Sequence, residues 1–202
     1  MPTAFSTLLL VALLLSCLLS FAWAMKHFFT QPTGTSTGMR LIKFCGIGFG
    51  LAHLLTLALF GAADSEHAAC AAFIFSASLA LFWWTLNTNR RAPLSAAFSS
   101  DLPQRIVKEG PYRYVRHPFY ASYLLMWLAA PIGSAQVWLL ASAVVMLALY
   151  YAAAKAEEQK FAQSALSRQY ASYRAASGLF LPNPIKMLSS TTIATGSPAI
   201  KE

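Results

Sequence analysis

Charged side chains are scarce in this chain of 202 residues, at 11% of the total, whereas a soluble domain carries about 25%. Acidic residues are rarer still, since seven Asp and Glu stand against fifteen Lys and Arg. So little charge excludes an ordinary soluble domain. Because 57% of the residues are apolar, the composition predicts an integral membrane protein.

Cysteine is also scarce, with three residues at Cys17, Cys45 and Cys70. Each lies in or beside an apolar stretch. An odd number without paired spacing predicts neither a disulfide framework nor a metal-binding motif. We interpret all three as small apolar side chains of helices, and we expect no metal.

Three charge-free stretches each have about the length of one membrane span. They are Phe5–Met25, Phe44–Ala63 and Ala68–Leu86. Residues 1–88 are therefore predicted to form an N-terminal membrane scaffold of three helices.

A fourth charge-free stretch, Pro118–Ala154, is too long for a single span. Pro131 and Gly133 interrupt it, and both residues favour a turn. We predict a tight hairpin of two shorter helices, near Phe119–Ala130 and Ala135–Ala154. The predicted fold is an all-α integral membrane protein with about five transmembrane helices, the last two forming the hairpin.

The basic residues indicate how these spans are oriented. They are confined to Lys26–Lys43, Arg90–Arg116 and the region after Lys155. Five spans would place all three regions on one side, which the positive-inside rule makes cytoplasmic, with the N-terminus outside. The net positive charge is then attributed to topology and anionic lipid headgroups. Nucleic-acid binding is not expected, because no basic soluble domain is present.

The pattern becomes amphipathic after Ala154 and predicts that the last span continues as a cytoplasmic amphipathic helix as far as Gly178. Tyr170 and Tyr173 are interpreted as interfacial packing. Residues 183–202 are rich in Ser, Thr and Ala, and we expect a disordered tail.

The segment Gly110–Tyr120, with sequence GPYRYVRHPFY, stands directly before the hairpin. A polar, aromatic and basic cluster at a membrane boundary is costly to maintain without a use. Pro118 suits the first position of a helix, where free N–H groups attract a carboxylate or phosphate. His117 precedes a proline and is biased toward extended backbone, so it would project from the mouth of that helix. The segment predicts a site for a polar cofactor beside a lipid-soluble substrate.

A carboxylate pair, Glu157-Glu158, follows about 40 residues later, and the hairpin between them returns it to the same membrane face. A carboxylate there can accept hydrogen bonds from a ribose diol or bind an amino group. A solvated helix face would also explain the pair, and membrane anchoring would also explain Arg113 and Tyr114. The joint arrangement favours one shared pocket.

The set GPYRYVRHPFY, hairpin, AEEQKF, QYASY and a closing LP resembles the isoprenylcysteine carboxyl methyltransferase family and its bacterial relatives. Phospholipid methyltransferases are more distant kin. The resemblance covers residues 104–182, and no motif matches in the first three helices. It implies that residues 89–182 comprise a cofactor-binding loop, the hairpin and a C-terminal helix, in a protein of the bacterial inner membrane.

The resemblance further implies a membrane methyltransferase that uses S-adenosylmethionine and takes a lipophilic acceptor from the membrane lipid. The catalytic residues remain unassigned, and we favour His117 as a cofactor contact over a base. The implied cofactor contacts are Gln104, Arg105, Ile106, Val107, Tyr112, His117, Pro118, Phe119, Tyr120 and Glu157.

One departure from the family pattern concerns the acceptor. Members that methylate a prenylcysteine carboxylate carry an arginine one helical turn before the first glutamate, where this chain has Ala153. The departure disfavours a prenylcysteine and leaves open whether the accepting atom is O, N or S.

Two other functions stay open. Sterol-type membrane reductases that use NAD(P)H carry a similar pattern, but they read His-Pro-Asn-Tyr where this chain has Phe119 after Pro118. A non-enzymatic membrane protein, such as a transporter, would place polar groups at mid-membrane. Here only His53 lies deep in a predicted span.

Overall fold

The computed structural model describes residues 2–29, 36–90 and 105–183. Within these ranges the chain forms six α-helices and no β-strand, so the all-α class is confirmed. Short 3₁₀ turns, Gly110–Arg113 and Val137–Leu139, precede the fourth and fifth helices. The helices are α1 (Pro2–His27), α2 (Thr37–Phe60), α3 (Ser65–Thr88), α4 (Pro118–Ser134), α5 (Leu140–Gln163) and α6 (Ser167–Ala176).

Four helices among the described residues are long and apolar enough to cross a membrane. Large apolar side chains on them, such as Phe44, Phe73 and Val144, are exposed as expected of a lipid-facing surface. At about 1.5 Å per residue, the 17 residues of α4 extend roughly 25 Å, less than the roughly 30 Å of a hydrocarbon core. A fifth span therefore stays a prediction. The four spans are Ala4–His27, Thr37–Phe60, Ser65–Thr88 and Val137–Gln163.

The short helix α4 lies at the centre of the bundle. It contacts α1, α2, α3 and α5, most extensively α3. Trp127 and Met126 of α4 are almost fully buried, in one apolar cluster with Leu10 of α1 and Phe75 of α3. Because other helices surround α4, it does not need the length of a lipid-exposed span. This packing does not test the prediction that residues 89–182 bind a cofactor. The structure does not describe the residues after 183, where the disordered tail was predicted.

The predicted bounds of the hairpin helices were wrong. Helix α4 does not stop at Ala130 but continues through Pro131 to Ser134. The chain then turns at Ala135, whose φ of 52° is left-handed, and α5 begins only at Leu140.

Side-chain and tertiary contacts hold the last turn of α4, beyond its proline. The Ser134 hydroxyl donates to the Ala130 carbonyl at 2.8 Å, and the Ala63 N–H donates to the Gly133 carbonyl at 2.9 Å. These bonds satisfy carbonyls of the last helical turn, which have few N–H partners within the helix.

The prediction of one continuous helix to Gly178 was also wrong. Helix α5 ends at Gln163, and Ser164 is extended with a ψ of 168°. The Ser164 hydroxyl accepts the Leu166 N–H at 3.1 Å, a local bond that competes with helix continuation. The chain then folds back, and the ring of Tyr170 stacks on Phe161 at a centroid distance of 4.2 Å.

Candidate active site

The turn Gly110–Arg113 docks on the end of α3 and confirms the turn predicted from Gly110-Pro111. Gly110 has a φ of +56°, and a Cβ there would lie 2.4 Å from the Thr88 hydroxyl oxygen. Only glycine fits this conformation and this approach. The turn buries Tyr112 against α3, where the Asn89 amide nitrogen donates to the Tyr112 hydroxyl at 3.1 Å.

Helix α6 is tied to the same turn. The Tyr173 hydroxyl donates to the Tyr112 carbonyl at 2.7 Å. Burial raises the pKa of both phenols, that of Tyr173 to about 12, so both are protonated at neutral pH. Tyr170 and Tyr173 are buried in the fold, which corrects their interpretation as interfacial packing.

The segment after α6 pairs with the residues before α4. Gly178 forms an isolated parallel bridge with Val115. The Arg116 N–H donates to the Gly178 carbonyl at 2.8 Å and the His117 N–H to the Leu179 carbonyl at 3.1 Å. This pairing brings the ring of Phe180 to 6.2 Å from that of His117.

Three predicted contacts, His117, Tyr120 and Glu157, meet at the start of α4. The Tyr120 hydroxyl donates to Glu157 Oε1 at 2.5 Å, and His117 Nδ1 lies 3.4 Å from Glu157 Oε2. The Tyr120 ring stacks between the rings of His117 and Tyr150, at centroid distances of 5.7 and 5.2 Å. Glu157 remains 31% exposed, so its carboxylate can still reach a ligand.

The second glutamate has a different environment. Glu158 is 5% exposed, and Arg116 Nε donates to its Oε1 at 2.7 Å. Lys155 Nζ and Arg174 Nε lie 3.7 and 3.9 Å from its Oε2. The interpretation of this carboxylate as part of a solvated helix face was therefore wrong. Glu158 neutralises a buried guanidinium, whereas Glu157 faces the site.

His117 lies between the two carboxylates. Its Nε2 is buried, 3.8 Å from Glu158 Oε1, and has no hydrogen-bond partner among the described residues. Burial alone would lower the pKa of His117, but the two carboxylates beside its ring nitrogens and their negative charge outweigh it, so the pKa is raised. The raised pKa favours the imidazolium form, which donates from both ring nitrogens and is a poor base.

The remaining predicted contacts are placed as follows. Pro118 is the first residue of α4. The charge of Glu157 raises the pKa of the Tyr112 hydroxyl, and that of Arg105 lowers it, although burial has the larger effect. Phe119 packs instead in an aromatic cluster with Phe28, Phe29 and Phe82. Arg105 is exposed, Ile106 and Val107 are half-buried, and Gln104 lies outside the described residues.

Sequence reasoning missed Asn89 and Phe180. A polar run, Asn87-Thr88-Asn89, closes the third apolar stretch, and this run was the signal for Asn89. Nothing local marks Phe180, because its role depends on the pairing of Gly178 with Val115.

A comparison with known protein families identifies the family of this chain. The sequence matches the family model of phospholipid methyltransferases over residues 65–169, more than half of the chain. The chain belongs to the phospholipid methyltransferase family. This confirms the resemblance drawn from the motifs, since the family covers the isoprenylcysteine carboxyl methyltransferase-like kin. No curated protein matches the chain at a significant level.

The family match also begins earlier in the chain than the motifs do. The motifs recognised in the sequence begin near residue 104, whereas the family match begins at Ser65 and includes all of α3. Helix α3, with Asn89 at its end, therefore lies within the region that matches the family. Among the described residues, no three His, Cys, Asp or Glu side chains are placed to hold a metal ion.

Proposed function

We propose that this protein is an S-adenosylmethionine-dependent methyltransferase that acts on a lipophilic acceptor within the membrane. Membership of a methyltransferase family supports the reaction class. The observation that carries the proposal is the contact of His117, Tyr120 and Glu157 at the start of the buried helix α4.

The unpaired groups of the site fit this cofactor. His117 Nε2 is a buried donor without a partner among the described residues, and a carboxylate ligand would satisfy it. Glu157 accepts from Tyr120 but keeps free lone pairs for a ribose hydroxyl or an ammonium group. The first N–H groups of α4, after Pro118, add donors that an anionic group can use.

The chain itself would contribute position and exclusion of water. When bound, the cofactor would supply a sulfonium methyl group, whose C–S bond breaks as the acceptor's lone pair forms the new bond to carbon. His117 and Glu157 would anchor the polar ends, and Tyr120 would fix the Glu157 carboxylate. Held in line, the two reactants need little other catalysis. A proton carried by the acceptor would leave to solvent, and we assign no base.

The acceptor is proposed to be a membrane lipid rather than a prenylcysteine carboxylate. Ala153, where prenylcysteine-modifying members carry arginine, is fully buried in the apolar core. The nearby Lys155 ammonium group is directed to Glu158. Membership of the phospholipid methyltransferase family supports the same class of acceptor. The family match does not favour an NAD(P)H-dependent reductase or a transporter.

Binding measurements on the purified protein in detergent test the cofactor. We expect S-adenosylmethionine to bind and NADPH not to bind, and we expect His117→Ala and Glu157→Ala to weaken binding at least tenfold. Glu66→Ala is the matched control, because Glu66 is exposed in the first turn of α3, at the opposite end from Asn89. Unchanged affinity in both site variants would overturn the assignment.

The acceptor is tested separately with methyl-labelled cofactor and a total lipid extract of the host. We expect the label in a lipid, and mass spectrometry of the labelled product identifies the accepting atom. Label in protein alone would overturn the proposed lipid acceptor.

A further inference from the structure

Asn89, the residue that follows α3, is fully buried, and its contacts fix the orientation of its amide. One amide atom lies 2.8 Å from the Thr85 carbonyl oxygen and 3.1 Å from the Tyr112 hydroxyl. A carbonyl oxygen can only accept, so the atom facing Thr85 must be the nitrogen. The amide oxygen, Oδ1, therefore faces the other way.

This oxygen is an unused acceptor. Asn89 Oδ1 is buried and has no hydrogen-bond partner within the described part of the chain. Such an atom is rare in a native protein and calls for a ligand, water or ion to satisfy it.

The neighbouring phenol can act as a donor. The Tyr112 hydroxyl accepts from Asn89, so its own hydrogen points away from that amide. Asn89 and Tyr112 therefore present one acceptor and one donor side by side, and both groups are uncharged.

The position of this pair links it to the proposed active site. Tyr112 lies in the turn that leads into His117 and α4. Phe119 of α4 packs on Phe82 of α3, the helix that ends beside Asn89. The charged ends of the proposed cofactor fit His117 and Glu157, because charges are best paired with charges when buried. An uncharged donor–acceptor pair suits an uncharged group that offers one donor and one acceptor. The edge of adenine has this pattern, with an amino group beside a ring nitrogen.

We propose that Asn89 and Tyr112 recognise the adenine of the methyl donor. Asn89 Oδ1 accepts from the exocyclic amino group, and the Tyr112 hydroxyl donates to a ring nitrogen. The inference rests on the proposed function and names two specificity-determining residues within it.

Calorimetry with two probes tests the inference by binding alone. The probes are S-adenosylhomocysteine and S-inosylhomocysteine, in which a carbonyl oxygen replaces the amino group and a ring N–H replaces a ring lone pair. The Thr85 carbonyl prevents the Asn89 amide from flipping. The carbonyl oxygen of the inosine probe would therefore face Asn89 Oδ1, and two acceptors cannot form a hydrogen bond. We expect the wild-type protein to prefer the adenine probe by roughly 5- to 150-fold, the range of one good base-edge contact.

The decisive variant is Tyr112→Phe, which keeps the buried ring and removes only the hydroxyl. We expect it to lower the preference several-fold, and Asn89→Ala to lower it further. Tyr114→Phe is the matched control, since Tyr114 lies two residues away and is 37% exposed, and its preference should equal that of the wild type. Asn89→Ala also unpairs the Thr85 carbonyl, so if that variant fails to fold, Tyr112→Phe alone decides.

The outcomes separate this inference from the proposed function. Tight binding of the adenine probe with an unchanged preference in Tyr112→Phe would overturn the adenine contact and leave the proposed function standing. An equal loss of affinity for both probes would show a structural role only and would also overturn it. Failure of the wild-type protein to bind the adenine probe would overturn both.

Discussion

Arg116 and Glu158, 42 positions apart in sequence, form a buried ion pair, with Nε 2.7 Å from Oε1. The same guanidinium donates to the backbone carbonyls of Arg174, at 3.3 Å, and Ser177. One side chain therefore joins the residues before α4, the end of α5 and the segment after α6. The proposed cofactor site lies beside this junction, so its geometry depends on the pair.

Removing Arg116 should be strongly destabilising. Arg116→Ala would leave the Glu158 carboxylate buried without its closest partner, and breaking a buried pair in this way costs about 3–5 kcal/mol. Arg174→Ala is the control, because Arg174 is 56% exposed and 3.9 Å from the same carboxylate, and exposed pairs contribute about 0–1 kcal/mol. Denaturant unfolding in detergent measures both variants. Equal losses of stability in the two variants would contradict the assignment of Arg116 as the main partner of the buried Glu158 carboxylate.

Removing the Tyr120 hydroxyl should affect the cofactor more than the fold. Tyr120→Phe keeps the stacking on Tyr150 and loses only the bond to Glu157. Hydrogen bonds to charged groups contribute about 1.5–3 kcal/mol, so a carboxylate held less firmly should bind S-adenosylmethionine about tenfold more weakly. Tyr123→Phe, one turn further along α4, should change the affinity less than about twofold. Calorimetry that ranks the two variants in reverse order would refute this role for Tyr120.

The charge of His117 should make stability depend on pH. Its pKa in the folded protein is raised by Glu157 and Glu158 despite burial, above the value of about 6.5 in an unfolded chain. The imidazolium therefore stabilises the fold fully below about pH 6.5. This contribution is lost as the pH rises through the raised pKa, because the folded state then gives up its extra proton.

A comparison with His117→Gln isolates this contribution. The stability advantage of the wild-type protein over the variant should be largest near pH 6 and should shrink as the pH rises through the raised pKa of His117. Thermal midpoints in detergent across that range measure it, with both proteins sharing every other titrating group. An advantage that grows with pH would show that His117 is neutral in the fold.

Features set by the backbone preferences of single residues were predictable from sequence. The turn at Gly110-Pro111 and the helix start at Pro118 follow from restrictions that act locally. The end of α4 does not, because Pro131 would stop most helices. Here α4 continues to Ser134, and its last turn is held by the Ser134 hydroxyl and by a bond from Ala63 in a distant turn. No local pattern records that contact.

The same difference between local and long-range contacts explains which residues of the candidate site were predicted. His117, Tyr120 and Glu157 were found because the motif residues recur as a set, although their function as cofactor contacts stays a prediction. Asn89 and Phe180 were missed because their roles depend on partners far along the chain, Tyr112 and His117. The polar run that contains Asn89 marks a helix end but not the bond to Tyr112, and nothing local marks Phe180.

Gly178 should tolerate no side chain. A Cβ at this position would lie 1.7 Å from the Leu181 carbonyl oxygen, so Gly178→Ala must open the turn that pairs with Val115. We expect a loss of about 1–3 kcal/mol, as for overpacking elsewhere. Gly48→Ala is the control, since a Cβ there meets nothing within 4 Å, and removing a helical glycine should stabilise the protein by about 0.5–1 kcal/mol. Unfolding midpoints in the same detergent compare them, and an unaffected Gly178→Ala would exclude the turn.

The contact between Arg116 and Glu158 also constrains topology. Arg116 precedes α4 and Glu158 lies near the end of α5, so we expect both ends of the hairpin to lie on one side of the membrane. This agrees with a fifth span at α4 and with the single-sided placement of lysine and arginine. Four crossings, with α4 outside the bilayer core, would instead separate the two ends.

Single cysteines in a cysteine-free background distinguish these topologies. Replacements at the exposed positions Arg113 and Glu66, and at Lys160 and Val137, are treated with a membrane-impermeant maleimide in intact spheroplasts. We expect Glu66→Cys and Val137→Cys to react at once, and Arg113→Cys and Lys160→Cys to react only after permeabilisation. Because His117 and Glu157 come from the two ends of the hairpin, opposite accessibility of Arg113→Cys and Lys160→Cys would mean that they cannot share a ligand.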